Sequence, residues 1–511
     1  MSNDPHKQII AQLSQEDEDD SSVRIFRLPK YIRQRQNHIL QLDFEPQELF
    51  VGFYKHTALD TENDVMNVDC SKLAIAREIC RGPIPSAPPT TVITSSPVRT
   101  PKSEVWRDFV SSLDEALKEA RRQYYRLESD VTSIDRENGV VALDALFIVA
   151  FLRCSYSFQD TWGYDFDRVF RRCSFNAQRF ALLHDLLMLE NQVPMCLLSA
   201  VLNQLSKGSE GRDLRSDLYH LLEWFVIKVY PFHHGTKVNE DHEPQLRQHM
   251  KNYHKHGIDS FVDCYHLLDC AYLAICGPLS SCTPSSSNRY LGDLVDLPCF
   301  KPSSIGAPYS HAGPSQNAFK IPSATTLRRM GITVTVNEDS LTMNKIKFER
   351  RYLHSYVLLV PKLIMHDHTA SVFKNLALYE QIQDSGANGH RGEMRTYLFL
   401  MTCLLDSVQD VRLLINRRVV VDQVGSAETV CKQWNQLCEG LYIPSNPPEY
   451  WRKIQKRISE LERSRPNRWV AEIRERNCSS FVLFISFLIL SLVVISTYVS
   501  AIFQVLAYAL M

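Results

Sequence analysis

Apolar residues recur at helical spacing along most of this chain. From Ser103, the residues Trp106, Phe109, Val110, Leu113, Leu117, Ala120, Tyr124 and Leu127 fall at three- and four-residue steps. That pattern predicts one helix of about 25 residues with a single buried stripe. Asp114 and Lys118 sit four apart on its polar side and are placed to pair. Residues 139–153, GVVALDALFIVAFLR, are apolar on every side and predict a buried helix, too short and too closely flanked by charge to cross a membrane. Phe180, Leu183, Leu186, Leu187 and Leu189 predict a helix over 178–190, and Leu218, Leu221, Leu222, Phe225 and Val226 another over 212–230. The pattern turns β-branched at Ile332–Val336, a predicted strand with Tyr356–Val360 as its partner. Ser323 reads as the N-cap of a short helix and Gly331 as the residue just past its end. Ser407 with Asp410 reads as a capping box, and Gly425-Ser426 as a turn and cap. The expected fold is mainly α with a small β element (α+β): one helical body plus a C-terminal transmembrane helix.

That last helix comes from a different pattern. Arg476 is the final charge, and from Phe481 the chain reads FVLFISFLILSLVVISTYVSAIFQVLAYALM. About 20 apolar residues suffice to cross a bilayer, so residues 481–508 are expected to span one. Arg463, Arg465, Arg468, Arg474 and Arg476 precede the run and none follows. The positive-inside rule then puts the body in the cytosol. The opening MSNDPHKQII has no secretory character, so insertion is expected after translation. The length of the run leans toward a thick bilayer such as the plasma membrane over an endomembrane.

Composition changes the picture little. The chain has 511 residues, 44% hydrophobic and 23% charged, with net charge −1. Nothing is basic enough for a nucleic-acid partner. The 14 cysteines include no CxxC, so free thiols are expected and a zinc site is not. Glu16 to Asp20 make residues 1–22 an acidic, disordered tail. The body, 23–450, is interrupted by a proline-rich insert at 81–101 and a Ser/Pro/Gly-rich linker at 276–322. A basic juxtamembrane segment, 451–476, follows. The insert carries a PxxP at Pro85–Pro88 and proline-directed sites at Ser96 and Thr100.

Candidate chemistry is sparse. Val193 is pushed out of the α region by Pro194, which itself suits the first turn of a following helix. Glu190, Asn191 and Gln192 therefore sit at a corner, where amide side chains satisfy free helix ends. The structural reading is preferred. The alternative is a hydrolase-like enzyme whose pocket joins Glu190 and Asn191 to His56 or His266. His233, His234, His242, His249, His254 and His256 lie in loop-like sequence without an HExxH frame. His366-Asp367-His368 reads as a turn before a helix capped by Thr369 or Ser371. No GxSxG, P-loop or GxGxxG is present. No catalytic residue, metal ligand or cofactor is expected, and the protein is read as not an enzyme.

Several blocks, in order, resemble a plant-specific family known as domain of unknown function 247. Arg27-Leu28-Pro29 and Ile32-Arg33 open the match. Phe44, Pro46, Val51, Gly52, Tyr54 and His56 resemble its YxPxxVSIGPYHHG block, although Phe53, Lys55 and Thr57 depart from it. LDALFIVAFLR at 143–153 is similar to DGCFILELLR, with Asp144 and Phe147 kept. Asp185 to Pro194, DLLMLENQVP, is close to DLLLLENQIP. His266 to Asp269 resembles HLLDL; Ser323, Ala324, Leu327, Gly331 and Ile332 resemble SAxxLxxxGV; Asn375, Leu376, Ala377, Glu380 and Gln381 resemble NLxAxEQ. Asp406-Ser407, Asp410 and Gly425-Ser426 complete the series before the terminal run. The motif positions Pro46, Gly52, Tyr54, His56, Asp185, Glu190, Asn191, Gln192, Pro194, His266, Asp269, Gly331, Asn375, Glu380, Asp410 and Gly425 are read as structural. The resemblance implies a membrane-associated plant protein without established enzymatic activity. It implies an unidentified protein partner in recognition or signalling, since some members are linked to self-incompatibility in grasses and to reproductive development.

Overall fold

In the computed structural model, the described residues are 23–27, 46, 49–56, 66–82, 102–125, 127, 134–156, 164, 166–172, 175–207, 213–230, 247, 263–276, 321–337, 343, 345–352, 355–383, 392–438, 441, 444, 447–463 and 481–509. The acidic tail, almost all of the proline-rich insert and the 276–322 linker, the histidines at 233–256 and the arginines at 465–476 lie outside them.

The first group of elements comprises α1 (Phe53–His56), α2 (Met66–Arg81), α3 (Lys102–Ser111), α4 (Asp114–Arg122), α5 (Ile134–Tyr156), α6 (Phe166–Arg172), α7 (Phe175–Asp185), α8 (Met195–Ser206), α9 (Leu214–Val229) and α10 (Leu267–Cys276). α5 is the axis of this group, with α2, α6, α8 and α9 against it. A helix without a polar face must be enclosed by protein or by lipid. Accordingly Val141 to Cys154 of α5 are buried, with Leu143 the single half-buried exception. Although α5 is long and apolar enough to cross a membrane, 72% of its apolar window is inside the body, as expected for 139–153.

Two predicted helices are shorter than the periodicity implied. The helix expected from Ser103 to Leu127 is broken into α3 and α4. The Ser112 hydroxyl donates back to the Phe109 carbonyl (2.7 Å), and Leu113 N–H bonds to Val110 rather than one residue earlier. A serine competing for the backbone tightens the turn while Leu113 stays buried, so the stripe survives the break. The expected Lys118–Asp114 pair is present at 2.6 Å. The helix expected over 178–190 ends at Asp185, and residues 186–191 form turns whose backbone groups are held by side chains described below. Phe180, assigned to the buried stripe, is 67% exposed because Leu182 and Leu183 set the face that α7 buries.

The second group comprises α11 (Ala324–Arg329), β1 (Ile332–Val336), β2 (Lys347–Tyr352), β3 (Ser355–Val360), β4 (Leu363–Met365), α12 (Thr369–Gln383), α13 (Glu393–Leu404), α14 (Val408–Asn416), β5 (Val420–Asp422), α15 (Ala427–Leu437) and α16 (Glu449–Arg463). β1 pairs in parallel with β3, Ile332 opposite Tyr356, which is the expected strand pair. β2 pairs antiparallel on the other edge of β3, and β4 and β5 form a separate parallel pair. β2 reads KFERRY, too polar to signal a strand, and β4 and β5 have three residues each, too few for a period to show.

The caps follow the sequence closely. Ser407 and Asp410 make a reciprocal capping box on α14, and the Ser426 side chain accepts from Thr429 N–H at the start of α15. Gly331 and Gly425 take positive φ, at 80° and 114°. Ser323 occupies the N-cap position of α11, but its hydroxyl faces those of Thr325 and Thr326; the free Thr325 N–H donates instead to Asp410 (2.7 Å).

A continuous apolar core runs from Ile25 to Leu461. It includes Trp451, Ile454, Ile458 and Leu461, so the basic segment expected outside the body at 451–476 begins as one of the body's own helices. The last element, α17 (Phe481–Ala509), matches the predicted 481–508; none of its Ile485–Leu506 window is buried.

Candidate functional site: a buried polar corner

The turn after α7 carries the densest group of motif residues, and its geometry follows from Pro194. Pro194 (φ −57°) is the N-cap of α8, one position before the first-turn place expected. A chain that cannot continue as helix leaves backbone groups to satisfy, and buried ones must find partners. Asn191 and Gln192 supply them. The Asn191 amide donates to the carbonyls of Leu49 (2.7 Å) and Asp185 (2.9 Å), and its oxygen accepts from Val51 N–H (2.8 Å). The Gln192 amide donates to Leu186 (2.8 Å) and Met188 (2.7 Å), while its oxygen accepts from Leu268 N–H (3.0 Å) in α10. The Asp185 carboxylate accepts from Leu49 N–H (2.9 Å). Tyr124 donates its hydroxyl to the Gln192 carbonyl.

The segment 49–54 is thereby sewn to the corner. Gly52 N–H donates to Asp144 in α5 (3.0 Å), and Asp144 pairs with the buried Lys72 of α2 (2.6 Å), which also donates to the Phe50 carbonyl. Gly52 has φ +83°, and a Cβ there would overlap the Gln192 carbonyl oxygen and lie 2.7 Å from the Tyr124 hydroxyl. Tyr54 directs its hydroxyl at the carbonyls of Tyr125 (2.5 Å) and Ile25 (3.1 Å). Burial pushes its pKa far up, despite the Arg27 guanidinium 4.7 Å above its ring.

The network continues into the second group of elements. Asn375 of α12 accepts from Leu189 N–H (2.9 Å) and donates to the Ser371 carbonyl. His266 caps α10: its Nδ1 accepts from Asp269 N–H (3.2 Å), so the neutral ring carries its proton on Nε2. Asp269 accepts from Tyr265 N–H and from the Tyr379 hydroxyl (2.8 Å). Burial pushes the His266 pKa down to about 4, against the opposing Asp269 carboxylate and Arg24 carbonyl. Glu380 accepts from the Tyr272 hydroxyl, from the N–H groups of Met394 and Arg395, and from the Arg395 guanidinium (3.0 Å). A carboxylate at the start of α13 also suits the helix dipole.

The structure thus brings together Gly52, Tyr54, Asp185, Asn191, Gln192, Pro194, His266, Asp269, Asn375 and Glu380. Glu190 and Pro46 are buried. His56 closes α1, and its side chain lies outside the described residues. Gly331, Asp410 and Gly425 serve local caps in the second group and stand apart from the corner. Among the described residues no pocket joins Glu190 and Asn191 to His266, because Asn191 bonds backbone through its amide and His266 through Nδ1; the arm of that alternative that runs through His56 lies outside them. A cavity beside Leu413 and Arg417, lined also by Arg328 and Thr333, holds about 10 Å³, the room of one water. His184 and His368 rings meet at 4.4 Å, and His366 N–H donates to the Thr369 hydroxyl, which closes the expected turn ahead of α12 rather than capping the helix; among the described residues no group of three or more His, Cys, Asp or Glu could hold a metal.

Lys72, Tyr379 and Arg395 were not singled out from the sequence, and Tyr124 was read only as part of an apolar stripe. Lys72 had a signal: it falls on the stripe with Ile75 and Ile79, and a lysine on a core stripe implies a buried partner.

The fold and this corner define a class: an α+β helical body latched internally by buried polar side chains and followed by an apolar helix of membrane-spanning length. The chain belongs to the family described as plant protein of unknown function, domain of unknown function 247, which matches residues 25–496. It is also similar to the UPF0481 protein At3g47200 of Arabidopsis thaliana, 25% identical over 202 residues, which is 38% of this chain and 40% of that protein. The chain thus matches well under half of that relative's length. No solved structure matches it.

Proposed function

We propose that this protein is a non-enzymatic, membrane-anchored body that works by contact with a protein partner, in recognition or signalling, including the reproductive roles that the family resemblance implies. The observation that carries the reading is the commitment of the corner: the polar atoms that would serve a reaction hold backbone groups of distant segments in place. A side chain whose donors and acceptors are consumed by the fold positions structure and has nothing left to offer a substrate. The 29-residue α17 supports anchoring, and the arginines before it support a cytosolic body. The test is proximity labelling from an amino-terminal tag, combined with protease protection in sealed microsomes. We expect the tag to be digested without detergent and a set of cytosolic proteins to be labelled. A protected tag would overturn the cytosolic placement. Labelling indistinguishable from that of α17 alone would overturn function by contact.

A further inference from the structure

We propose that the outward face of α16 is a docking surface for anionic phospholipid headgroups, on the bilayer that holds α17. The inference rests on the anchored reading above. Trp451, Ile454, Ile458 and Leu461 are buried and fix the rotation of α16 on the body. At 100° per residue, the pole opposite them carries Arg452, Lys456 and Arg463 together with Glu449 and Glu460, with Lys453 on its shoulder and Arg457 on its flank. All five cations are exposed. The acidic residues on that side, Glu449 and Glu460, pair with Lys453 (2.9 Å) and Arg457 (3.3 Å); Glu462 lies toward the core edge. Among the described residues, Lys456 and Arg463 form no ion pair, and Arg452 acts on Glu449 without a direct one. The chain as a whole has net charge −1, so this stripe is a local concentration of charge.

Its position selects the partner. Residues 464–480 connect α16 to α17 and add Arg465, Arg468, Arg474 and Arg476 against Glu472 and Glu475. A connection of that length spans at most roughly 60 Å, so the stripe stays within that reach of the bilayer and meets its surface at a high effective concentration. Anionic lipids attract juxtamembrane cations within a Debye length. Cations mounted on a packed helix also need less ordering on contact than cations on a free tail. A soluble acidic partner would have to compete with a leaflet that the tether keeps always within reach.

The full chain is reconstituted in nanodiscs of phosphatidylcholine, with or without phosphatidylserine at roughly one lipid in four. An amine-acylating reagent is applied, and modification at Lys453 and Lys456 is read by mass spectrometry against Lys118, an exposed lysine on α4. We expect modification of both to fall at least about threefold in the serine-lipid discs and to recover when salt is raised from about 0.1 M to about 1 M, which shortens the Debye length from about 10 Å to about 3 Å. Arg452→Gln with Lys456→Gln is expected to enter discs normally and to lose the protection of Lys453. Co-migration with both discs but equal labelling overturns lipid docking alone. Failure to co-migrate with either overturns the anchored reading and this proposal with it.

Discussion

At the scale of single residues, two glycines with positive φ separate backbone strain from crowding. Gly425 has open space around its missing Cβ, so Gly425→Ala meets only the left-handed backbone, a cost of about 1 kcal/mol. Gly52→Ala meets that same term and a collision with the Gln192 carbonyl, which the corner holds fixed. We expect a loss at least about 2 kcal/mol larger, read as the shift in denaturant midpoint of the detergent-solubilised chain. The Lys72–Asp144 pair is equally specific. Lys72→Met strands a buried carboxylate and is expected to cost about 3–5 kcal/mol. Adding Asp144→Asn keeps an acceptor for Gly52 N–H and removes the charge, so the double variant is expected to regain much of the loss; a double variant no better than Lys72→Met would show that the charge is not what hurts. His266 sets a pH dependence. Its folded pKa of about 4 lies below the ordinary value near 6.5, so the unfolded chain binds the extra proton between the two. Stability contributed by the neutral ring is complete above about pH 6.5, falls as pH drops, and levels off below about 4, a total of about 3 kcal/mol at most. His266→Gln, which keeps an acceptor for Asp269 N–H, is expected to flatten the melting curve's dependence on pH across that window.

At the scale of elements, Asp410 distinguishes a cap from a latch. Ser407→Ala removes the capping box of α14 alone and is expected to cost about 1–2 kcal/mol. Asp410→Ala also frees Thr325 N–H at the start of α11, so it should cost more and should speed amide exchange in both helices. Burial raises the Asp410 pKa, but hydrogen bonds from Ser407 and Thr325 outweigh it and hold the carboxyl below its usual range. Exchange changed in α14 alone would show that the two helices are not linked through this carboxylate. The same elements show what the sequence made legible. Ser407, Ser426 and Gly331 were readable because a cap is decided within four residues. α5 was readable because an all-apolar helix goes to the core or to a bilayer, and the 15-residue run flanked by charge is too short for the second. The end of α7 was not, because Asn191 and Gln192, whose amides take the carbonyls of Asp185, Leu186 and Met188, are themselves held by Leu49 and Leu268, far away in sequence, and no local pattern reports that. The polar corner was half legible: Pro194 showed that a turn must form, and the family resemblance marked its residues. Only the three-dimensional arrangement shows that Asn191, Asn375 and Glu380 belong to one connected network.

At the scale of the whole molecule, the continuous core makes α16 part of the body. A chain ended at Arg463 is expected to fold and stay in the supernatant after ultracentrifugation. A chain ended at Pro448 loses the buried Trp451, Ile454, Ile458 and Leu461. At about 1.5–3 kcal/mol for each side chain, that loss rivals the net stability of an ordinary domain, so it is expected to aggregate. A soluble, cooperatively melting chain ended at Pro448 would show that α16 is an accessory. The bond from Leu189 N–H to Asn375 spans 186 residues. A ribosome adds about 5–20 residues each second, so the turn at 186–191 emerges roughly 10–40 s before the side chain that completes it. For that interval a growing chain carries an unfinished, apolar turn, and the cell must shelter it until α12 arrives.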